Sequence, residues 1–150
     1  MKKFILPVVL LLIISCSSNE GVKDYTQANE EEILEYISEN NLQALKSDSG
    51  LYYVINEPGT GEQPLSSSNV TVAYKGYYSN GTVFDKSDEE GITFNLRGVI
   101  AGWTEGITYF KEGGSGVLLI PSRLAYGSDD YKGIPGGSVL IFDVTLIAVN

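Results

Sequence analysis

The spacing of hydrophobic residues changes near residue 50 of this 150-residue chain. Between residues 29 and 49 the apolar positions recur at helical intervals, in an imperfect stripe formed by Ile33, Leu34, Ile37, Leu42 and Leu45. Asn29 can cap a helix, and the three glutamates that follow it suit the positive end of a helix dipole. The pattern therefore predicts an N-terminal helix over residues 29–49 that begins after Asn29.

From residue 51 onward, short alternating runs separated by glycine-rich turns predict β-strands. In the segment VTVAY the side chains of Val70, Val72 and Tyr74 share one face, and the final run VLIFDVTLIAV alternates in the same way. The dipeptide Asn80-Gly81 predicts a hairpin turn between two of the strands. Such alternation is typical of an antiparallel sheet with one covered face and one solvated face.

One short amphipathic helix interrupts these strands. Trp103, Ile107 and Phe110 follow each other at spacings of four and three residues, and Gly113-Gly114 can close the helix. A single helix packed on a half-buried antiparallel sheet is an α+β arrangement. The predicted fold is therefore α+β, with one N-terminal helix before the sheet domain of residues 50–150.

The first residues have the organisation of an export signal. Two lysines precede an apolar run over residues 4–14, which is too short to span a bilayer because spanning takes about 20 residues. The only cysteine, Cys16, follows directly, and this approach resembles the bacterial lipobox. We predict a signal peptide over residues 1–15, fatty acylation (palmitate) at Cys16, and a polar membrane tether over residues 16–28. Ser17 then favours the outer membrane, with the protein facing the periplasm of a bacterial envelope.

Composition excludes several classes of function. The formal charge of −9 without a lysine or arginine cluster argues against binding nucleic acid. The chain has no histidine, which excludes histidine-based catalytic triads and histidine-containing zinc sites. A single cysteine excludes an internal disulfide. We expect a protein without metal or cofactor.

The remaining large residues lie at strand ends or in the loops that follow them. If they converge, they form a mostly apolar hollow with one carboxylate, two phenols and a few backbone amides, which suits an apolar ring. For any one of these residues taken alone, an ordinary place in an aromatic core is the better interpretation, and only the order and spacing of the whole set favour a pocket. The set comprises Tyr74, Phe84, Asp85, Val99, Ile100, Trp103, Tyr126, Ile134 and Phe142.

Four segments then occur in a recognisable order: VTVAYKGYYSNGTVFDKS, GVIAGWTEGI, VLLIPSRLAYGS and IPGGSVLIFDVTLI. Together they resemble the FKBP family of peptidyl-prolyl cis-trans isomerases over roughly residues 51–150. The resemblance implies a twisted antiparallel β-sheet wrapped around one short helix. It also implies a proline-binding pocket and an activity without cofactors.

Carried over residue by residue, the resemblance assigns a role to each pocket position. Trp103 would form the floor on which a proline ring rests, and the N–H of Ile100 would bind a substrate carbonyl. Asp85 would accept a hydrogen bond from Tyr74, and the Tyr126 hydroxyl would reach the ligand. The predicted catalytic set is Tyr74, Phe84, Asp85, Ile100, Trp103, Tyr126 and Phe142, and the predicted substrate-binding set is Val99, Ile134, Ile92 and Tyr131.

Departures from the family pattern concern substrate and inhibitor preference. Ile92 stands where the family usually has phenylalanine, and the loop between Tyr126 and Ile134 is compact, with Tyr131 near its tip. Binding of macrolide inhibitors is expected to be weakened by Ile92.

The resemblance implies a peptidyl-prolyl cis-trans isomerase that assists protein folding in the envelope, with proline-containing polypeptides as partners. The alternative is a non-catalytic proline-peptide-binding or chaperone module, or a component of an envelope machine of the gliding-motility type. The N-terminal helix leaves open whether two copies pair as a homodimer.

Overall fold

The computed structural model describes residues 21–150, so the predicted signal peptide and Cys16 lie outside the described part of the chain. Single 3₁₀ turns at Leu96–Gly98, Ile107–Tyr109 and Ser122–Leu124 supplement the regular elements. Those elements are, in order, α1 (Thr26–Glu39), β1 (Leu45–Lys46), β2 (Tyr52–Glu57), β3 (Asn69–Tyr77), β4 (Val83–Lys86), β5 (Ile92–Asn95), α2 (Ala101–Gly106), β6 (Ser115–Ile120) and β7 (Leu140–Val149).

All seven strands join one antiparallel sheet, in which six of them follow the order β1-β2-β6-β7-β3-β4. Strand β5 also pairs with β3, beside residues 69–72, whereas β4 pairs with residues 75–77. The two short strands thus share one flank of β3. This architecture confirms the predicted α+β fold and its antiparallel sheet.

Helix α2 lies on one face of the sheet and forms the main core with it. A Cβ atom at Gly102 would lie 2.5 Å from the Ile120 side chain, and one at Gly106 would lie 2.7 Å from Leu118. The two glycines therefore let the helix approach β6 closely. The helix is shorter than predicted: it ends at Gly106, and the chain continues as a 3₁₀ turn over Ile107–Tyr109.

Helix α1 covers the opposite face of the sheet. Ile33 is 1 % exposed and joins a second buried cluster with Val54, Leu119 and Ile141. The prediction that this face is wet is therefore wrong for the central strands. It holds where Thr145 and Ile147 of β7 and Lys75 of β3 are exposed.

The N-terminal helix spans Thr26–Glu39, so it is offset from and shorter than the predicted range of 29–49. Asn41, with φ of 50°, turns the chain back, and Leu45 enters β1 beside Tyr53. Asn29 is not the N-cap: it lies inside the helix, 2 % exposed, with its side chain bonded to distant backbone. Those distant bonds leave no local trace in the sequence.

The predicted hairpin at Asn80-Gly81 is present between β3 and β4. Gly81 has φ of 88° and donates its N–H to the Tyr78 carbonyl at 2.8 Å. The Asn80 side chain accepts from the Thr82 N–H at 2.9 Å, which closes the turn. Among residues 21–150, no helix is both long and apolar enough to cross a membrane.

Candidate active site

The predicted aromatic hollow exists as a pocket of about 430 Å³ on the α2 side of the sheet. Nine of the eleven predicted site residues line it, whereas Ile92 and Ile134 do not. The lining consists of Tyr74, Phe84, Asp85, Phe94, Gly98, Val99, Ile100, Trp103, Tyr126, Tyr131 and Phe142.

Trp103 is the centre of this pocket and is 4 % exposed. Three rings meet its indole at steep angles, with centroid distances of 5.1 Å to Tyr74, 5.4 Å to Phe142 and 5.5 Å to Phe94. The interplanar angles are 90°, 82° and 77°, respectively. Edge-to-face contacts of this kind are favourable because the ring quadrupoles attract. Rings from β3, β5 and β7 therefore fix the plane of the indole.

The indole N–H of Trp103 is buried and has no hydrogen-bond partner among the described residues. Leaving a buried donor unpaired costs about 1–3 kcal/mol, so such a group requires an explanation. Trp103 lies in the first turn of α2, and the adjacent Thr104 hydroxyl donates to the Leu96 carbonyl at 2.5 Å. The helix start is thus held in place while the indole keeps a free donor.

Phe84 and Phe142 form a wall of the pocket by meeting across β3. Their centroids are 5.5 Å apart with an interplanar angle of 89°. Between them lies Gly76, where a Cβ atom would come within 2.7 Å of both rings. Glycine at this position is therefore required by the close approach of the two phenylalanines.

The polar groups of the pocket include a phenol and a carboxylate in contact. The Tyr74 hydroxyl donates to Oδ2 of Asp85 at 2.8 Å, as predicted. Burial, supported by this hydrogen bond, raises the pKa of Tyr74 to about 12. Tyr74 is therefore a neutral phenol at physiological pH, and its hydroxyl is committed to Asp85.

The rim of the pocket contains a backbone donor. Ile100 directly precedes α2 with φ of −58° and ψ of 148°, and its carbonyl accepts from the N–H groups of Trp103 and Thr104 at 2.9 and 3.1 Å. Its own N–H donates no hydrogen bond to another described residue. This amide, next to Val99, is available to an acceptor that enters the pocket.

Tyr126 and Tyr131 extend the aromatic surface outward. Their rings stack with centroids 4.7 Å apart and an interplanar angle of 11°. They are 40 % and 44 % exposed. Burial raises the pKa of Tyr126, and the neighbouring Tyr131 and Asp85 act in the same direction. The pair offers a flat, partly solvated surface with a neutral hydroxyl.

Two predicted substrate-binding residues lie elsewhere. Ile134 exchanges backbone hydrogen bonds with Tyr131 at 2.8 and 2.9 Å and packs against the main core. Ile92 is 42 % exposed and pairs with Val72 at the start of β5. Phe94, two residues further along β5, faces the indole instead. Phe94 was not among the predicted site residues, although strand alternation places it on the same face of β5 as Ile92, which was.

Within residues 21–150 there is no cluster of three or more acidic, cysteine or histidine side chains suited to a metal ion. The chemistry that the pocket offers consists of apolar contact, ring stacking and hydrogen bonding.

Residues 60–147 match the family model described as FKBP-type peptidyl-prolyl cis-trans isomerase. The chain belongs to this family. The FKBP match contains β3 to β6 and most of β7, and therefore every residue that lines the pocket. Helix α1 lies outside it.

Curated relatives support the assignment to the FKBP family. The FKBP-type isomerase FkpA of Escherichia coli K12 is 48 % identical over 106 residues, which are 69 % of this chain and 39 % of that protein. A probable FkpA of Neisseria meningitidis is 42 % identical over 138 residues, or 87 % of this chain and 50 % of that protein. The chain thus spans half or less of the length of these two relatives.

Solved structures share the fold. The crystal structure of E. coli FkpA has a TM-score of 0.74 at 42 % identity, covering 83 % of this chain and 60 % of FkpA. A peptidyl-prolyl cis-trans isomerase from Pseudomonas syringae has a TM-score of 0.72 at 29 % identity, covering 87 % of this chain and 99 % of that one. The second structure is therefore matched along almost its whole length.

The contact between Tyr74 and Asp85 predicts an alkaline change in stability. The folded pKa of Tyr74, about 12, exceeds the ordinary value of 10, so this phenol contributes stability that is complete below pH 10. That contribution is lost as the pH rises to about 12. We expect the free energy of unfolding to fall less across this interval in Tyr74→Phe than in the parent, as measured by urea denaturation. An equal fall in both proteins would contradict the raised pKa.

Proposed function

We propose that this protein is a peptidyl-prolyl cis-trans isomerase that accelerates rotation about Xaa-Pro bonds in proteins of the bacterial envelope. The observation that carries the proposal is the convergence of three aromatic rings on the indole of Trp103 inside one pocket. Membership of the FKBP family supports it independently.

The reaction needs little chemistry from the protein. Rotation about a peptide bond breaks amide resonance, with a barrier of about 18–20 kcal/mol, and prolyl isomerisation takes tens to hundreds of seconds unaided. No covalent bond is made or cleaved. The absence of histidine from the chain is therefore no obstacle to this reaction.

The apolar lining is expected to stabilise the twisted amide of the transition state more than the planar amide of the substrate. The planar amide is more dipolar than the twisted one, so a water-poor pocket favours the twisted state. Only an interaction that is stronger in the transition state accelerates the reaction. Lowering the barrier by roughly 5 kcal/mol would give an acceleration of several thousandfold.

The hydrogen-bond donors of the pocket then orient the substrate. In this proposal a proline ring rests on Trp103, and the free N–H of Ile100 binds a carbonyl of the peptide. The Tyr126 hydroxyl contacts the ligand from the rim. Asp85 is assigned no proton transfer, because its hydrogen bond to Tyr74 gives it the role of orienting that phenol.

A non-catalytic module that binds proline-containing segments, with a chaperone role or a place in an envelope machine, would use the same residues. Activity is favoured because all seven residues of the predicted catalytic set line one pocket. Binding of a macrolide inhibitor there is a further prediction, with Phe94 contributing an aromatic surface that the exposed Ile92 does not.

The proposal predicts faster cis-to-trans conversion of an Xaa-Pro peptide in the presence of the protein. Trp103→Ala should lower the catalytic efficiency at least about tenfold, which corresponds to a loss of about 1.4 kcal/mol of transition-state stabilisation. Because that change also opens a cavity in the core, Asp85→Ala provides a second pocket variant at a less buried position. Leu65→Ala is the control, since Leu65 is 71 % exposed and lies outside the pocket.

An uncatalysed rate with the parent protein would favour the binding module instead. Equal efficiencies of the parent and Trp103→Ala would refute the assignment of the pocket as the catalytic site.

We also propose that acyl chains on Cys16 anchor the protein to the outer membrane of the envelope, where the domain faces the periplasm. The lipobox-like approach to this cysteine supports the anchor. Helix α1 begins at Thr26, about ten residues later. At most about 3.6 Å per residue, such a tether holds the domain within roughly 35 Å of the membrane surface.

The anchor predicts that a labelled fatty acid supplied to growing cells is incorporated into the parent protein and not into Cys16→Ser. Each buried CH₂ contributes about 0.8 kcal/mol, so the variant should also leave the membrane fraction. Ser17→Ala is the matched control and should keep the label. A parent protein without label would contradict the lipid anchor.

A further inference from the structure

The loop that carries Tyr126 and Tyr131 joins β6 to β7 over residues 121–139, and we call it the pocket loop. Two backbone hydrogen bonds close it at its base. Gly127 donates to the Ser122 carbonyl, and Gly137 donates to the Gly127 carbonyl, both at 2.8 Å. The two ends of the pocket loop are therefore held next to each other.

The side chain of Asn29 bridges these two ends from α1. Its Nδ2 donates to the Gly137 carbonyl at 2.8 Å, and its Oδ1 accepts from the Ser122 N–H at 2.8 Å. The residue is 2 % exposed, and Ser122 is 5 % exposed. One buried amide thus meets a backbone donor at one end of the pocket loop and a backbone acceptor at the other.

A second contact from α1 fits the same place. The ring of Tyr25 lies against Gly137, where a Cβ atom would come within 2.4 Å of a ring carbon. Gly137 has φ of 78°, so glycine is favoured there by both conformation and space. The start of α1 is therefore shaped to the base of the pocket loop.

Few side chains could replace Asn29 here. The site needs a donor and an acceptor about one amide group apart, and buried polar groups that lose their partners are costly. An apolar residue would leave the Ser122 N–H and the Gly137 carbonyl without their partner. The base of the pocket loop would then be free to separate.

We propose that Asn29 is a positioning residue for the pocket, which holds Tyr126 and Tyr131 at its mouth by fixing both ends of the pocket loop. The inference rests on the proposed function. It makes α1 part of the catalytic unit, although the helix lies outside residues 60–147 that match the family model. A misplacement of about 1 Å far from the chemistry can cost about a hundredfold in rate.

The test uses the full chain with Asn29→Leu, which keeps a similar volume and removes both hydrogen bonds. Amide hydrogen exchange should become at least about tenfold faster at Ser122, Gly127 and Gly137, because these groups report local opening of the pocket loop. Amides in the centre of β6 and β7 should keep their protection. The catalytic efficiency should fall roughly ten- to hundredfold, with a larger loss for peptides that have a bulky residue before proline.

Ile33→Val is the matched control. Ile33 lies one helical turn after Asn29 and is buried in a cluster formed mainly by β2, β6 and β7, and it takes no part in the hydrogen bonds at the base of the pocket loop. This variant should lower the melting temperature while leaving loop exchange and peptide preference unchanged. Should Asn29→Leu fold too poorly to measure, Asn29→Ser, whose hydroxyl is too short to reach both ends, should show the same changes.

Parent-like exchange and catalysis in the Asn29 variant would overturn the inference. Faster loop exchange with unchanged efficiency and peptide preference would also overturn it, because Asn29 would then only fasten the helix. If the parent itself showed no isomerisation, the proposed function would fail, whereas the exchange rates would still decide whether Asn29 fixes the pocket loop.

Discussion

The packing of Tyr74, Phe94 and Phe142 around the indole of Trp103 is the interaction on which the rest of the molecule depends. Each ring comes from a different strand, and the indole comes from the first turn of α2. The four rings meet only if β3 pairs with both β5 and β7 in the observed register and α2 lies close to β6. The strand pairing of the sheet therefore determines the shape of the pocket.

This constraint explains why the pocket suits a rotation rather than a bond-breaking reaction. Its base is closely packed and apolar, and the Tyr74 hydroxyl is committed to Asp85. Among the described residues this leaves the backbone N–H of Ile100 and the indole N–H as free N–H donors, and Tyr126 adds a hydroxyl at the rim. Such a site can bind a proline ring and hold a neighbouring carbonyl while the amide turns. Helix α1 contributes from the opposite face of the sheet by meeting the base of the pocket loop through Asn29.

The sequence alone predicted the sheet, the α2 region and most of the pocket, because alternation and ordered motifs report local structure and family. It did not predict the limits of α1 or the place of Asn29, whose partners are 93 and 108 residues away. Asparagine serves both as a helix cap and as a buried bridging amide, and the sequence around Asn29 does not distinguish these two roles. Phe94 and Ile92 were likewise not separated, because strand alternation puts both on one face while only the fold decides which of them reaches the indole.

The central claim is that a proline ring binds on the indole of Trp103. The most direct measurement is a two-dimensional ¹H–¹⁵N NMR titration with an Xaa-Pro peptide and its Xaa-Ala counterpart, followed at the indole N–H. The chain has one tryptophan, so this resonance is unambiguous. The Xaa-Pro peptide should shift the indole and the Ile100 amide together, while the Xaa-Ala peptide leaves both nearly unmoved. Shifts confined to other surfaces, with the indole unchanged, would contradict the claim.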